Sequence, residues 1–308
     1  MIQRNRRKNW SRGTAAVALF MALTQPGCRK ADRGEGSGDG GKVSIQSKGS
    51  DTMLNLGIAW SEEYRKVAPH VDVAVAGGGS GQGIAALSKG TIDVANCSRN
   101  MKPEEIEMTR KNTGKAPHEF VVGYDALAVY VHRENPLNEI TFEQLATIYA
   151  EGGRFTRWPE LGVNVPGCNG DIVRVSRQSS SGTYEFFREH VLSNKDFKLG
   201  SRDMNGSKEV VELVANTPCA IGYSGMGYNV PGVKMLKVAA RPDQPAVAPS
   251  LENTLNKSYP ISRPLLVYTL GEPQGELKKY IDWCLSDAGQ KVVEDSGYVP
   301  LPPAARTQ

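Results

Sequence analysis

Ser176-Arg177-Gln178-Ser179-Ser180-Ser181-Gly182-Thr183-Tyr184-Glu185-Phe186-Phe187 sets a cation, three consecutive hydroxyls and a glycine between two structured runs. A β-leaning run, Ile172 to Val175, leads in, and Phe186, Phe187, Val191 and Leu192 lead out at helical spacing. Such a strand-to-helix turn gathers N–H groups, hydroxyl donors and the positive end of a helix where a tetrahedral oxyanion can dock. Taken alone, it fits equally well a capped helix after a serine-rich turn, so the rest of the chain has to decide.

Toward the N-terminus the arrangement recurs three times. Lys42 to Gln46 predicts a short strand, followed by Ser47-Lys48-Gly49-Ser50-Asp51-Thr52 and a helix with Met53, Leu56, Trp60, Tyr64 and Val67 on one face. Val71, Val73 and Val75 alternate as a second strand, which runs through Gly77-Gly78-Gly79-Ser80-Gly81-Gln82-Gly83 into a helical Ile84 to Leu87. Ile92 to Ala95 predicts a third, with Cys97-Ser98-Arg99-Asn100 before a helix opening at Pro103-Glu104-Glu105. One such turn is common in α/β proteins; four in one chain point to a shared anion site. Gly81-Gln82-Gly83 approaches the dinucleotide fingerprint, but no suitably placed acid follows the second strand, and there is no GxxxxGK[ST] loop.

The chain of 308 residues has room for two domains, and 39% apolar with 23% charged residues is the balance of a water-soluble globular protein. Residues 1–27 hold Arg4, Arg6, Arg7, Lys8 and Arg12, no acid, and an apolar run from Thr14 to Leu23, which reads as an export signal too short for a spanning helix. It ends Thr24-Gln25-Pro26-Gly27-Cys28, similar to a bacterial lipoprotein site that would lipidate Cys28, although Gln25 stands where such sites carry an apolar residue; ordinary cleavage near Gly27 is the alternative. Loss of that segment takes the formal net charge from +4 to −1, so the basic balance belongs to the leader and implies no nucleic-acid partner. Residues 28–42 are glycine, serine and charge, a flexible tether. Four cysteines follow without CxxC spacing or histidine company, so no metal site is expected. Outside the cytoplasm Cys168 and Cys219 are a candidate disulfide, with buried free thiols the other reading.

Gly49-Ser50-Asp51-Thr52-Met53, Gly78-Gly79-Ser80-Gly81, Ser98-Arg99-Asn100-Met101 and the stretch from Arg177 through Phe187 resemble the phosphate-binding substrate-binding proteins of bacterial phosphate ABC transporters. Gly123-Tyr124-Asp125-Ala126-Leu127, Ala220-Ile221-Gly222-Tyr223 and Tyr259-Pro260-Ile261-Ser262-Arg263-Pro264-Leu265 are similar to that family as well, so the resemblance spans essentially the whole mature chain. It implies an α/β, two-lobed type II periplasmic-binding-protein fold with two crossover strands, near 122–131 and 265–270, and an interlobe cleft. Lobe 1 would be residues 43–124 with 266–308, and lobe 2 residues 125–265. Thr141-Phe142-Glu143-Gln144 predicts a capping box for a helix through Tyr149, and Ser207 to Val214 another amphipathic helix.

Matched motif by motif, the family's first-lobe ligand groups fall on the Thr52 hydroxyl with the Met53 backbone N–H, and on Ser80. Its second-lobe groups fall on Arg177 as fixed cation, on the hydroxyls of Ser181 and Thr183, and on the Gly182 backbone N–H. Better-known members carry an aspartate where this chain has Arg99. Either another acid, Asp51 or Asp125, then accepts the anion's proton, or the site selects by charge, with Arg99 a ligand cation favouring the dianion; otherwise Arg99 points to solvent or pairs with a neighbouring carboxylate. The resemblance implies extracytoplasmic capture of inorganic phosphate for import, at the periplasmic or cell-surface side. A membrane permease, a lipid anchor on Cys28, a monomeric state and no cofactor go with it. Sulfate, molybdate or tungstate binding is the nearer alternative. A secreted hydrolase is the distant one, since Gly78-Gly79-Ser80-Gly81-Gln82 fails the GxSxG elbow and no histidine sits beside these motifs.

Overall fold

The computed structural model describes residues 42–306, so the export segment, Cys28 and the tether before residue 42 lie outside the described residues. The chain enters as β1 (Val43–Gly49), α1 (Leu54–Val67) and β2 (Val71–Ala76). β1 and β2 pair in parallel from Val43 opposite Val71 to Lys48 opposite Ala76, and the alternation buries Val71 and Val73 on one face. α1 buries Leu56, Trp60 and Tyr64 at four-residue spacing. Each apolar side chain so covered contributes on the order of 2 kcal/mol. Val67 is placed on the same face by its spacing, but it is the helix's last residue and stands 64% exposed.

α2 (Ser80–Leu87), β3 (Val94–Cys97) and α3 (Pro103–Thr113) follow, with β3 parallel to β1 on the side away from β2. β3 begins two residues later than the hydrophobic run suggests, and Asp93 just before it takes the Gln46 N–H on its carboxylate at 2.8 Å. β4 (Pro117–His132) is a 16-residue strand that runs on into the second half of the molecule. There lie β5 (Glu139–Thr141), α4 (Phe142–Tyr149), β6 (Val173–Arg177), α5 (Gly182–His190) and β7 (Arg202–Met204). α6 (Ser207–Ala215), β8 (Ala220–Gly225), β9 (Val233–Met235), β10 (Lys237–Ala239) and α7 (Leu251–Leu255) complete it. The capping box forms as the sequence predicts: Gln144 N–H donates to Thr141 Oγ1 at 3.1 Å, and Thr141 N–H to Gln144 Oε1 at 2.9 Å.

β11 (Ser262–Leu270) returns the chain antiparallel to β4, and α8 (Gly275–Leu285) and α9 (Asp287–Asp295) pack on the first half. The sheet order is β2-β1-β3-β11-β4-β8-β6-β7, so the β4–β11 pair joins two α/β lobes. In that pair Arg263 lies directly opposite Asp125, and the register slips between Leu265 and Leu266. Trp60 Nε1 donates to Gly289 O at 2.9 Å, tying α1 to α9, and Gln290 Nε2 to Val122 O at 3.1 Å, tying α9 to the crossover. Cys168 and Cys219 form a disulfide that joins the loop before β6 to the start of β8, whereas Cys97 and Cys284 are buried free thiols. Among the described residues no helix is long and apolar enough to cross a membrane.

Candidate functional site

Four strand-to-helix turns meet between the lobes. The turn after β1 carries Ser50, Asp51 and Thr52, with the Thr52 side chain fully buried. Tyr298 Oη donates to the Thr52 carbonyl at 2.6 Å and Tyr228 Oη to the Asp51 carbonyl at 2.5 Å, so two tyrosines fix this turn from behind. The turn after β2 reaches α2 through Gly79 at φ 93°, a conformation that favours glycine and lets the Gly81 N–H donate across the cleft to Ser180 O at 2.9 Å. Ser80, the first residue of α2, accepts the Ser98 N–H at 3.1 Å, and Ser50 Oγ donates to Ser98 Oγ at 2.8 Å. The third turn thereby adds Ser98 to the same hydroxyl cluster.

From the second lobe, Ser181 caps α5 by accepting the N–H groups of Thr183 at 3.1 Å and Tyr184 at 3.4 Å. Its oxygen is occupied as an acceptor, which frees its own proton to donate elsewhere. Thr183 Oγ1 lies 2.9 Å from Thr52 Oγ1 across the cleft. A Cβ on Gly182 would sit 2.3 Å from Ser80 Oγ and 2.7 Å from Ser98 Oγ, so only a glycine lets α5 approach that closely. The residues at 52, 80, 181, 182 and 183 are thus brought to one place at the amino ends of α2 and α5, where helix dipoles favour an anion.

Arg177, at the end of β6, supplies the cation. Its side chain is wholly buried, donating from Nη1 to Ser207 Oγ at 2.9 Å and from Nη2 to Asp51 Oδ2 and Asn205 O, each at 2.9 Å. Asp51 Oδ1 takes the Gly78 N–H at 2.8 Å. Burial pushes the Arg177 guanidinium down from its ordinary value and Asp51 pulls it back, but an arginine starts so high that it stays charged. Its Nε–H is buried without a hydrogen-bond partner, unlike the donors around it.

Two expected ligand groups are used otherwise in this conformation. The Met53 N–H donates to Ser50 O at 3.0 Å, closing the turn before α1. Arg99 is turned away from the cluster into a bidentate pair with Glu105: Nη1 to Oε2 at 2.8 Å and Nη2 to Oε1 at 2.7 Å. Glu105 also accepts the Lys102 N–H at 2.8 Å, which places it at the start of α3 with Arg99 folded over it. Lys102 Nζ in turn reaches Glu185 of α5 at 2.5 Å, an ion pair between the lobes.

The residue that sequence reasoning passed over is Arg263, quoted only as part of a matching stretch. Its side chain and that of Asp125 are both wholly buried, with Nε and Nη2 donating to Asp125 Oδ2 at 3.0 and 2.8 Å. Nη2 also lies 3.2 Å from Thr52 Oγ1 and 3.1 Å from Thr183 Oγ1. A charge inside an otherwise apolar strand was the available signal. No histidine joins the hydroxyl cluster: His70 and His118 pair with Glu276 and Glu272, His190 stacks on Phe186 at 3.8 Å, and His132 Nδ1 takes the Glu134 N–H. Among the described residues no group of three or more His, Cys, Asp or Glu side chains could hold a metal ion.

A family model described as a PBP superfamily domain matches residues 33–288. The phosphate-binding protein PstS of Pseudomonas aeruginosa is 34% identical over 300 residues, which are 94% of this chain and 91% of the relative. The phosphate-binding protein PstS of Staphylococcus epidermidis is 31% identical over 305 residues, 96% of this chain and 90% of that one. Among solved structures, a substrate-binding protein assigned to a phosphate ABC transporter of Clostridium perfringens, with bound phosphate, aligns at TM-score 0.74 and 31% identity over 84% of this chain and 100% of its own.

Proposed function

This chain belongs to the PBP superfamily and, within it, to the PstS family of phosphate-binding proteins, and from that premise we propose that it captures inorganic phosphate outside the cytoplasm and hands it to the membrane permease of a phosphate ABC transporter. The observation that carries the reading is the Arg177 Nε–H, a cationic donor buried without an acceptor. Leaving such a group unpaired costs about 1–3 kcal/mol, a cost that an anion held between the lobes removes. The phosphate ligands are then the hydroxyls of Thr52, Ser80, Ser181 and Thr183, the Gly182 N–H and the Arg177 guanidinium. With Arg99 spent on Glu105, Asp51 accepts the hydrogen bond that the protonated anion donates. Asp125 is less suited, since Oδ2 already accepts twice from Arg263 and Oδ1 takes the Met226 N–H at 3.1 Å. Lobe 1 is residues 43–124 with 266–308 and lobe 2 is 125–265; the protein works as a monomer, anchored through a lipid on Cys28.

Thermal melts of the chain with phosphate, sulfate and molybdate test this. Phosphate at a hundred times its dissociation constant should add about 2.7 kcal/mol of stability, a rise of about 5 °C or more. A shift with sulfate or molybdate and none with phosphate would reassign the ligand. No shift with any of the three would refute the binding-protein reading.

A further inference from the structure

We propose that the anion site has a second cation, Arg263, and that it acts as a positioning residue, turning the hydroxyl protons of Thr52 and Thr183 toward the bound anion. The inference rests on the phosphate-binding reading and deepens it. Arg263 and Asp125 are register partners on the two crossover strands, so the pair sits where the lobes join. The guanidinium is anchored on several sides. Nε and Nη2 hold Asp125 Oδ2, Nη1 donates to Ser98 O at 3.2 Å, and the plane lies over the Phe186 ring at 5.5 Å. A purely structural ion pair would need nothing more. Nη2, however, also lies within hydrogen-bond reach of one hydroxyl from each lobe, at 3.2 Å from Thr52 Oγ1 and 3.1 Å from Thr183 Oγ1.

The consequence follows from donor and acceptor counting. A guanidinium donates and cannot accept, whereas a hydroxyl does both. One Nη2 hydrogen serves Asp125 Oδ2 and the other is shared between the two threonine oxygens, so each of these must send its single proton away from Arg263. With the two oxygens 2.9 Å apart, one proton lies between them and the other points out of the triad. An arriving anion accepts the outward proton directly and gains the second when the bond between the two threonines opens toward it. Arg263 thereby converts two amphoteric groups into donors and biases them toward a negatively charged guest. Its own charge is matched by Asp125, as that of Arg177 is by Asp51, so its contribution is the orientation of these hydroxyls rather than net charge.

The experiment is isothermal titration of phosphate into the full chain and into Arg263→Lys, Thr183→Val, Thr183→Ser and the double variants with Arg263→Lys. A lysine keeps the charge opposite Asp125 but cannot reach the carboxylate and both hydroxyls at once. Arg263→Lys should weaken phosphate binding about tenfold to a hundredfold. Combined with Thr183→Val it should cost at least about threefold less than the product of the single effects, because the hydroxyl it acts through is gone. Combined with Thr183→Ser, which keeps that hydroxyl, the full cost should return. A merely structural arginine would not distinguish valine from serine. If Arg263→Lys does not fold, the neutral pair Arg263→Gln with Asp125→Asn takes its place and should lose at least about tenfold in affinity. Wild-type-like affinity in that pair, Arg263→Lys binding within about threefold of wild type, or the same Arg263→Lys effect in valine and serine backgrounds overturns the proposal. A wild-type chain that binds no phosphate overturns the underlying reading and this inference with it; wild-type binding alongside an indifferent Arg263→Lys overturns the inference alone.

Discussion

Replacing Arg177 with alanine separates two costs that the structure keeps apart. The first is the loss of charge-assisted hydrogen bonds to the anion, about 1.5–3 kcal/mol. The second comes from Asp51, whose Oδ2 is held by Arg177 Nη2 at 2.9 Å and would be left uncompensated beside the ligand. Like charges about 4 Å apart repel by about 4 kcal/mol at an effective dielectric constant near 20. Water entering the space absorbs part of this, because the Asp51 side chain is 11% exposed against 0% for Arg177. A net loss of about 4 kcal/mol, close to a thousandfold in affinity, is therefore expected from titration calorimetry at pH 8. Arg177→Gln combined with Asp51→Asn removes both charges and should retain only the first cost, about tenfold to a hundredfold. The order is the informative result: wild type tightest, the neutral pair next, Arg177→Ala weakest. A fall of less than about tenfold for Arg177→Ala, with the ligand-free melting temperature of the variant showing it folded, would refute the placement of Arg177 against the anion.

Gly182→Ala should lower phosphate affinity at least about tenfold, as overpacking of about 1–3 kcal/mol predicts, because the added Cβ would sit 2.3 Å from Ser80 Oγ. Titration calorimetry checks it, and unchanged affinity would show that the contact is absent from the bound form. Glu105→Gln tests the Arg99 pair through pH. Burial pushes the Glu105 carboxyl up, but hydrogen bonds from Arg99 and from the Lys102 N–H outweigh it, and the net direction is down. A depressed folded value stabilises the protein above the ordinary glutamate range near pH 4.3, and that stability is lost as pH falls through the folded value. The melting temperature should therefore be higher in wild type than in Glu105→Gln at pH 7, by about 3 °C, and the gap should close between about pH 5 and pH 3. A gap independent of pH would mean that the ion pair contributes nothing.

What was legible in the sequence was local. Glycine-bearing turns between a two-residue and a 3.6-residue hydrophobic period locate β1 to α3 and β6 to α5 within a few residues, because each turn is fixed by its own backbone geometry. The hydroxyls at 52, 80, 181 and 183 lie in those turns, but it was the resemblance to the phosphate-binding family, not the turns alone, that singled them out. What stayed hidden was set by long-range pairing. Arg263 joins Asp125, 138 residues earlier, only because β11 lies antiparallel on β4. Arg99 finds Glu105 six residues on, across a turn and a helix start, a separation that no helical or strand period marks. Short edge strands such as β7, β9 and β10, three residues each, carry too little pattern to read.

Arg99 shows how a charged residue beside the candidate site can be turned out of it by a local partner. Its guanidinium covers Glu105, which accepts the Lys102 N–H at the start of α3, and Lys102 then reaches Glu185 at 2.5 Å on the opposite lobe. The charge at 99 is thus spent at the start of α3, and the local pairs cancel: Arg99 with Glu105, Lys102 with Glu185. The inner site is built on the same rule, Arg177 against Asp51 and Arg263 against Asp125. An anion entering between them meets no net excess of fixed charge. On the proposed reading it is held by the oriented N–H and O–H dipoles at the amino ends of α2 and α5, with two arginines that cannot give up their protons. Such a site favours a guest that accepts many hydrogen bonds and can also give one to Asp51. Protonated phosphate meets both conditions. Fully ionised sulfate meets only the first, which is why the carboxylate at 51, rather than the cation at 99, is the residue on which selectivity between the two should turn.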